Sequence, residues 1–194
     1  DSSQAVMSVL AAHSGTVEPV SLDEAFLVIA PGQDPSRLVA AVRDEVAAAT
    51  GLTASVGVGP SKLVAKIASD DAKPDGWLVV PADDVQAFLD PLPVRRLPGV
   101  GPASQSRLAR LGISTVRQLR AMDLVELTGL LGEAHGSSVW HLAHGRRPAR
   151  HRRPGQHRDQ PGLPALPLRG GARRAQRRPA PARGNPRAHR HRRQ

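Results

Sequence analysis

Apolar positions recur along the chain with two different periods, and the changes between them mark out short strands and amphipathic helices. From Gln4 to His13, Val6, Val9 and Leu10 fall on one side of a helix. Thr16 to Leu22 and Glu24 to Ile29 are rich in Val, Leu, Ile and Phe and predict two strands. Asp34-Pro35 reads as a helix start, with Asp as the N-cap and Pro in the first turn. Leu38, Val42, Val46 and Ala49 carry the helical period onward, and Gly51 ends it. Leu52 to Val58 predicts a third strand. Ser61 to Asp71 predicts a helix with Leu63, Val64, Ile67 and Ala68 on one face, and Trp77 to Val80 a short strand. The order is ββαβαβ behind a first helix, an α+β sheet domain.

After Pro81 the pattern becomes helical throughout. It predicts helices over Asp84 to Leu89, over about Ala103 to Leu111 with a stop at Gly112, and over a short segment capped by Ser114 that carries Val116 and Leu119. Asp123 and Glu126 open the next in the manner of a capping box, and Ala134 to Ala143 is the last. The expected organisation is therefore a partial α+β domain over 1–80, an all-helical domain over 81–145, and a remainder over 146–194.

That remainder is set apart by composition. Val, Ile, Ser, Thr, Glu and Lys all occur before Arg146 and none occurs after it. Such a segment buries too little apolar surface to offset its ordering entropy, which predicts disorder. Two origins stay open: a basic, phosphate-gripping tail, or a shifted reading frame in GC-rich DNA, since lysine is missing and Arg, Pro, Ala and Gly dominate. The segment also distorts the charge balance. The chain carries 27 basic and 17 acidic residues, but 16 arginines and only one acid lie from Arg146 onward, so residues 1–145 are net −5. Net charge therefore gives no argument for nucleic-acid binding by the folded part. Cysteine is absent, which excludes disulfides and thiolate metal sites. There is no apolar run of the ~20 residues a membrane span needs and no visible signal peptide. These features lead to the expectation of a cytoplasmic chain without membrane contact, and its opening at Asp1, directly in a helical pattern, to that of a fragment.

Three constellations carry chemistry. Asp23 and Glu24 are adjacent carboxylates at the junction of two apolar strands. Neighbouring strand residues point to opposite faces, so both reach one metal only if the backbone turns there; hard cations such as Mg²⁺ take such oxygen donors together with substrate phosphates. Taken alone, the pair reads equally as a solvated turn. Lys62, Lys66 and Lys73, the only lysines, share one helical face within about 40°, with Lys73 just past the helix end because Pro74 disfavours helix before it. They form a stripe able to neutralise phosphate, or an ordinary solvated face. Leu97-Pro98-Gly99-Val100-Gly101, between helical segments, permits a tight turn whose N–H groups could hold a phosphate, with Arg107 and Arg110 nearby.

Together these residues resemble the Y-family translesion DNA polymerases, in particular the DNA polymerase IV branch. Val20 to Leu27 resembles their catalytic carboxylate segment. Ser55 to Gly59, Ala65 to Ser69 and Ala72 to Gly76 resemble the following palm segments, and Leu97 to Gly101 the thumb helix-hairpin-helix. The resemblance runs from about Asp1 to Gly145. It implies a partial palm, an antiparallel-rich sheet with helices, followed by a small helical thumb and then the Arg/Pro-rich tail. It implies error-prone, DNA-directed synthesis in damage bypass and repair. Asp23 and Glu24 would be catalytic and metal-binding, Lys73 would contact the incoming nucleotide, and Lys66, Gly99, Val100 and Gly101 would contact DNA. Two Mg²⁺ ions would serve as cofactor, with primer–template DNA, deoxynucleoside triphosphates and, in the intact family, a sliding clamp as partners of a monomeric enzyme. The family's first palm strand with its further aspartate, its fingers and its little finger have no counterpart here, and Val28 stands where an acid is common. A truncated, inactive polymerase fragment is expected, with a non-enzymatic DNA-binding module or an inactive accessory homologue as the alternatives.

The charge asymmetry predicts that the whole chain binds duplex DNA with a steep salt dependence, log K falling by about 0.9 per log unit of salt for each phosphate neutralised. Removing the residues after Gly145 should leave weaker binding with a shallower slope. Titration of duplex DNA at several salt concentrations checks this, and an unchanged slope would clear the tail of that role.

Overall fold

The computed structural model describes residues 2–146 and, as backbone, the strand 165–171. The elements in chain order are α1 (Ser2–His13), β1 (Val17–Pro19), β2 (Glu24–Val28), α2 (Pro35–Thr50), β3 (Thr53–Val58), α3 (Lys62–Asp71), β4 (Trp77–Val79), α4 (Val85–Leu89), α5 (Pro102–Arg110), α6 (Val116–Arg120), α7 (Leu124–Leu131), α8 (Glu133–Ala143) and β5 (Ala165–Gly171). Among the described residues no helix is long and apolar enough to cross a membrane.

Local chemistry sets the boundaries. The Asp34 side chain accepts from the Ser36 N–H, Pro35 opens α2, and Gly51 closes it at φ 69°. Ser61 caps α3 by accepting from the Val64 N–H. The cap of α6 is Thr115 rather than the expected Ser114. Thr115 forms a full capping box with Gln118, and Ser114 instead donates to the Gln118 side chain. Asp123 caps α7 through the Val125 N–H at 2.7 Å.

The sheet has the order β1-β2-β5-β3-β4. β1 pairs antiparallel with β2, β5 lies antiparallel to both β2 and β3, and β3 pairs in parallel with β4 across the α3 connection. Within the Arg/Pro-rich tail, residues 165–171 are described as the backbone of β5. Leu166 and Leu168 alternate there with other residues, a strand period too short to stand out in an Arg/Pro-rich segment. The remaining tail positions lie outside the described residues. Cutting after Gly145 therefore removes a strand as well as charge, and substituting arginines outside 165–171 is the cleaner salt-dependence experiment.

Helices α1 and α2 cover one face of the sheet. There Leu10, Leu38, Val39, Val42 and Val46 pack with Ala25, Leu27, Ala54, Val56 and Val58. The opposite face receives α3 through Ala65 against Phe26. This approach is very close, because a Cβ at Gly57 would lie 2.0 Å from the Ala65 carbonyl oxygen and 2.2 Å from the Ser69 nitrogen. The other side of α3 belongs to the helical half: Val64, Ile67 and Ala68 join Leu89, Leu97, Leu108, Leu119, Leu127 and Val139 in one core. A single helix thus walls both cores.

The helical half is pinned by one acid. Arg120 grips buried Asp90 with two hydrogen bonds, of 3.1 and 2.9 Å, and Arg117 adds a third at 3.3 Å. The Arg117 N–H also donates to the Asp90 carbonyl, which ties the end of α4 to α6. The hydrogen bonds from Arg120, with help from Arg117, hold the Asp90 carboxyl below its ordinary value of 3.8 against the opposing effect of burial. A carboxyl lowered in the folded chain stabilises it fully above the ordinary value and loses that contribution as pH falls through the folded pKa. Asp90→Asn should cost about 1–2 kcal/mol at neutral pH, since both arginines are partly solvated. Urea denaturation at neutral and at acidic pH checks this, and the gap between the two proteins should narrow on the acid side.

Candidate active site and DNA-contact surface

The carboxylates lie where the chain reverses between β1 and β2. The Glu24 carbonyl accepts the N–H groups of both Val20 and Ser21, at 2.8 and 3.1 Å, which curls residues 20–23 into a tight turn. Asp23 sits exposed on that turn and accepts from the Ser21 hydroxyl at 2.6 Å. Glu24, the first residue of β2, is only 5% exposed and takes the Lys66 ammonium on one carboxylate oxygen at 2.7 Å. The backbone turn required for both acids to serve one site is present.

The lysine stripe is also present, but each member faces an acid. Because α3 crosses the β1–β2 hairpin, Lys62 pairs with Glu18 and lies 5.4 Å from the centre of the Phe26 ring, and Lys66, one turn on, pairs with Glu24. Lys73 lies past the helix end, as Pro74 requires, and bonds Asp70 at 2.7 Å. Charge pairing of this kind depends on which strand the helix crosses and leaves no trace in the local spacing.

Leu97 to Gly101 follows a single 3₁₀ turn, Val94–Arg96, and leads into α5, so the first arm of the expected hairpin is shorter than a helix. The Val100 and Gly101 N–H groups close the turn itself by donating to the Leu97 and Gly99 carbonyls. The Val100 side chain is buried in the helical core. Outward-facing donors therefore come from the first turn of α5, where Gly101 provides no side-chain cap. Gly99 has φ +88°, which favours glycine. Gly101 is extended, with nothing within 4 Å of the point where a Cβ would stand. Arg107, expected near a phosphate, donates to the Leu130 carbonyl.

One cleft of about 470 Å³ brings two expected DNA-contact groups together: it is lined by Lys66 on α3 and by residues 97–101, with Arg95, Arg96 and Asp70 between them. Lys73, Asp23 and Glu24 do not line it. Sequence reasoning missed Arg95 and Arg96, although their place directly before the Leu97 motif was a usable signal. It also missed Arg43, which bonds the Ala54 carbonyl and Asp75 and holds the segment after Lys73 against β3. The Ser104–His135 contact at 3.0 Å behind the hairpin joins residues far apart in sequence and had no local signal.

Two adjacent carboxylates, one on an exposed turn, suit a hard divalent cation shared with phosphate oxygens. Among the described residues no group of three or more acidic or histidine side chains is placed to hold a metal by itself.

Residues 1–70 match the impB/mucB/samB family and residues 95–146 match the thumb domain of DNA polymerase iota. The solved structure of DinB from Sulfolobus solfataricus superimposes with a TM-score of 0.67 at 32% identity, over 74% of this chain and 44% of that one. An insertion ternary complex of Dbh DNA polymerase gives 0.69 at 30% identity, over 77% and 45%. Over residues 1–70 and 95–146 the chain is similar to the Y family of DNA polymerases. Within it, the curated relatives are proteins named DNA polymerase IV. That of Methanoculleus marisnigri is 47% identical over 143 residues, covering 72% of this chain and 39% of its own length; that of Desulfatibacillum aliphaticivorans is 42% identical over 147 residues, covering 74% and 37%. The chain thus spans about two fifths of the length of these relatives.

Gly101 offers a clean test of the hairpin. Its backbone admits any side chain and there is room for one, so Gly101→Leu should change stability by no more than about 0.5 kcal/mol. The same side chain would stand between the α5 donors and an approaching phosphate, and duplex affinity should fall about tenfold, equivalent to about 1.4 kcal/mol. Thermal denaturation and fluorescence anisotropy with a polyanion competitor present check both. Unchanged DNA affinity in a folded Gly101→Leu protein would remove the hairpin from the interface.

Proposed function

We propose that this chain carries the palm and thumb portion of a DNA-directed DNA polymerase of the translesion type, with residues 1–80 as the palm part and 81–145 as the thumb. The observation that carries the reading is the position of Lys66, which bonds Glu24 on one side and lines the hairpin cleft on the other. A carboxylate site and a phosphate-binding cleft thus share one wall. The substrates are primer–template DNA and deoxynucleoside triphosphates.

In this reading Asp23 and Glu24 present carboxylate oxygens where the primer end meets the triphosphate. They would hold Mg²⁺, which would supply activation of the attacking 3′-hydroxyl and stabilisation of the leaving oxygen. The exposed turn lets Asp23 meet substrate, while burial and Lys66 hold Glu24 in one orientation, which is the preorganisation such a reaction needs. Lys73, on its flexible stem at the end of α3, neutralises the triphosphate and exchanges Asp70 for phosphate oxygens as it does so. The α5 N-terminus and hairpin hold the duplex backbone without reading sequence. The competing reading, a DNA-binding module without chemistry, draws on the burial of Glu24 against Lys66, since a purely structural ion pair has the same form.

A chimera separates the two. Residues 1–146 would replace the matching region of the Methanoculleus marisnigri DNA polymerase IV. Primer extension with Mg²⁺ is expected. Asp23→Ala and Glu24→Ala should each lower its rate by about a thousandfold, within the ~3–4 kcal/mol that loss of a transition-state-stabilising group costs. Duplex affinity should stay within about threefold, because carboxylates do not hold phosphate directly. A folded chimera in which Glu24→Ala kept full activity would assign Glu24 to structure alone.

A further inference from the structure

One histidine backs the hairpin, and the proposed chemistry makes no use of it. Ser104 is the third residue of α5 and His135 the third of α8. The Ser104 hydroxyl lies 3.0 Å from Nε2 of the half-buried His135 ring. Another edge of the same ring faces the turn: Cε1 and Nδ1 are 3.4 and 3.8 Å from the point where a Cβ of Gly99 would stand. A single imidazole therefore touches both α5 and the Gly99 turn. Its own helix gives it a firm base. Gly136, the next residue, lets α8 seat on α7, since a Cβ there would lie 2.6 Å from both the Leu127 carbonyl oxygen and the Thr128 Cα. Val139 and Leu142, further along α8, are buried in the helical core. The place of the ring is thus set from outside the hairpin, and what the ring can vary is its protons.

A hydroxyl has one proton to give, whereas an imidazole nitrogen either gives or takes one. With Nε2 unprotonated, the Ser104 hydroxyl donates inward to the ring and offers a ligand only lone pairs. With both ring nitrogens protonated, Nε2–H donates to the Ser104 oxygen, and the hydroxyl proton is released to bond an acceptor outside. The same change puts positive charge beside the Gly99 turn. The ionisable groups on the surrounding elements are Arg95 and Arg96 ahead of the hairpin, Arg107 and Arg110 on α5, Glu126 on α7 and Glu133 on α8 itself. Arg107 is engaged with the Leu130 carbonyl. Among the described residues no carboxylate is ion-paired to His135. An added positive charge there has no protein acid to settle on, and a phosphate drawn to the hairpin becomes its counterion.

We propose that His135 is a proton-sensitive positioning residue for the hairpin's hold on duplex DNA: its ring supports Gly99 and, once protonated, frees the Ser104 hydroxyl to donate to a phosphodiester oxygen. This deepens the proposed function and rests on its reading of the hairpin as a duplex-binding element. Duplex affinity then rises as the pH falls, and bound duplex in turn favours the protonated ring. The carboxylates Asp23 and Glu24 take no part in this effect.

The test titrates the complete 194-residue chain against a fluorescein-labelled duplex by anisotropy, at fixed ionic strength with a polyanion competitor. The pH runs from about 8 to about 6, a range in which imidazoles change charge. Over that range the wild-type affinity should rise about fivefold more than that of His135→Gln, the scale of one added charge-assisted hydrogen bond. The remaining histidines are common to the proteins compared and cancel. Ser104→Ala should cut the extra gain to about twofold or less, because the released donor is gone while the ring charge stays. Melting curves at both ends of the range verify folding, and Ser104→Ala carries the test by itself if His135→Gln does not fold. Parallel pH profiles for the wild type and a folded variant would overturn the proposal and leave the hairpin reading standing, provided that Gly101→Leu still weakens binding. Unchanged binding in Gly101→Leu would overturn both.

Discussion

The close seating of α3 on β3 is the constraint from which the site follows. It is possible only because residue 57 has no side chain, with the helix backbone about 2 Å from where a Cβ would be. That seating brings the Lys62 and Lys66 stems across the β1–β2 hairpin, so that successive helical turns meet Glu18 and Glu24. It also turns Val64, Ile67 and Ala68 outward into the helical core. A larger residue at 57 would lift the helix away, separating Lys66 from Glu24 and loosening the wall against which the hairpin rests.

The two halves of the molecule meet the demands of burial differently. The sheet half divides its apolar residues between two faces. The helical half includes two very short helices, α4 and α6 of five residues each. Isolated helices of that length are not stable in water. Their order comes from tertiary packing, from the Thr115–Gln118 box, and from Asp90, whose carboxylate and carbonyl both hold α6.

Most of the element pattern was legible because it rests on local rules. Asp34-Pro35 and Ser61 announce helix starts, Gly51 and Gly112 announce stops, and Leu38, Val42 and Val46 show the period of α2. The carboxylate turn was legible too, as a junction between two apolar runs. The arrangement across elements was not. Nothing in the local spacing shows that Lys66 meets Glu24, that Arg43 reaches Asp75, or that Asp90 gathers two arginines, because each partner lies at least 27 residues away.

On the proposed reading, the double position of Lys66 would make two binding events interdependent. Its ammonium group is a counterion to Glu24, and the same residue lines the hairpin cleft. An anion that enters the cleft and draws Lys66 toward it leaves the Glu24 carboxylate more negative in effect, and hence a stronger ligand for a cation. Thermodynamic reciprocity then requires that a cation bound at Glu24 strengthen the hold on the anion by the same factor. On the proposed reading, a buried ion pair that looks like simple cross-bracing would act as a balance between cation and anion occupancy, with the lysine as its pivot.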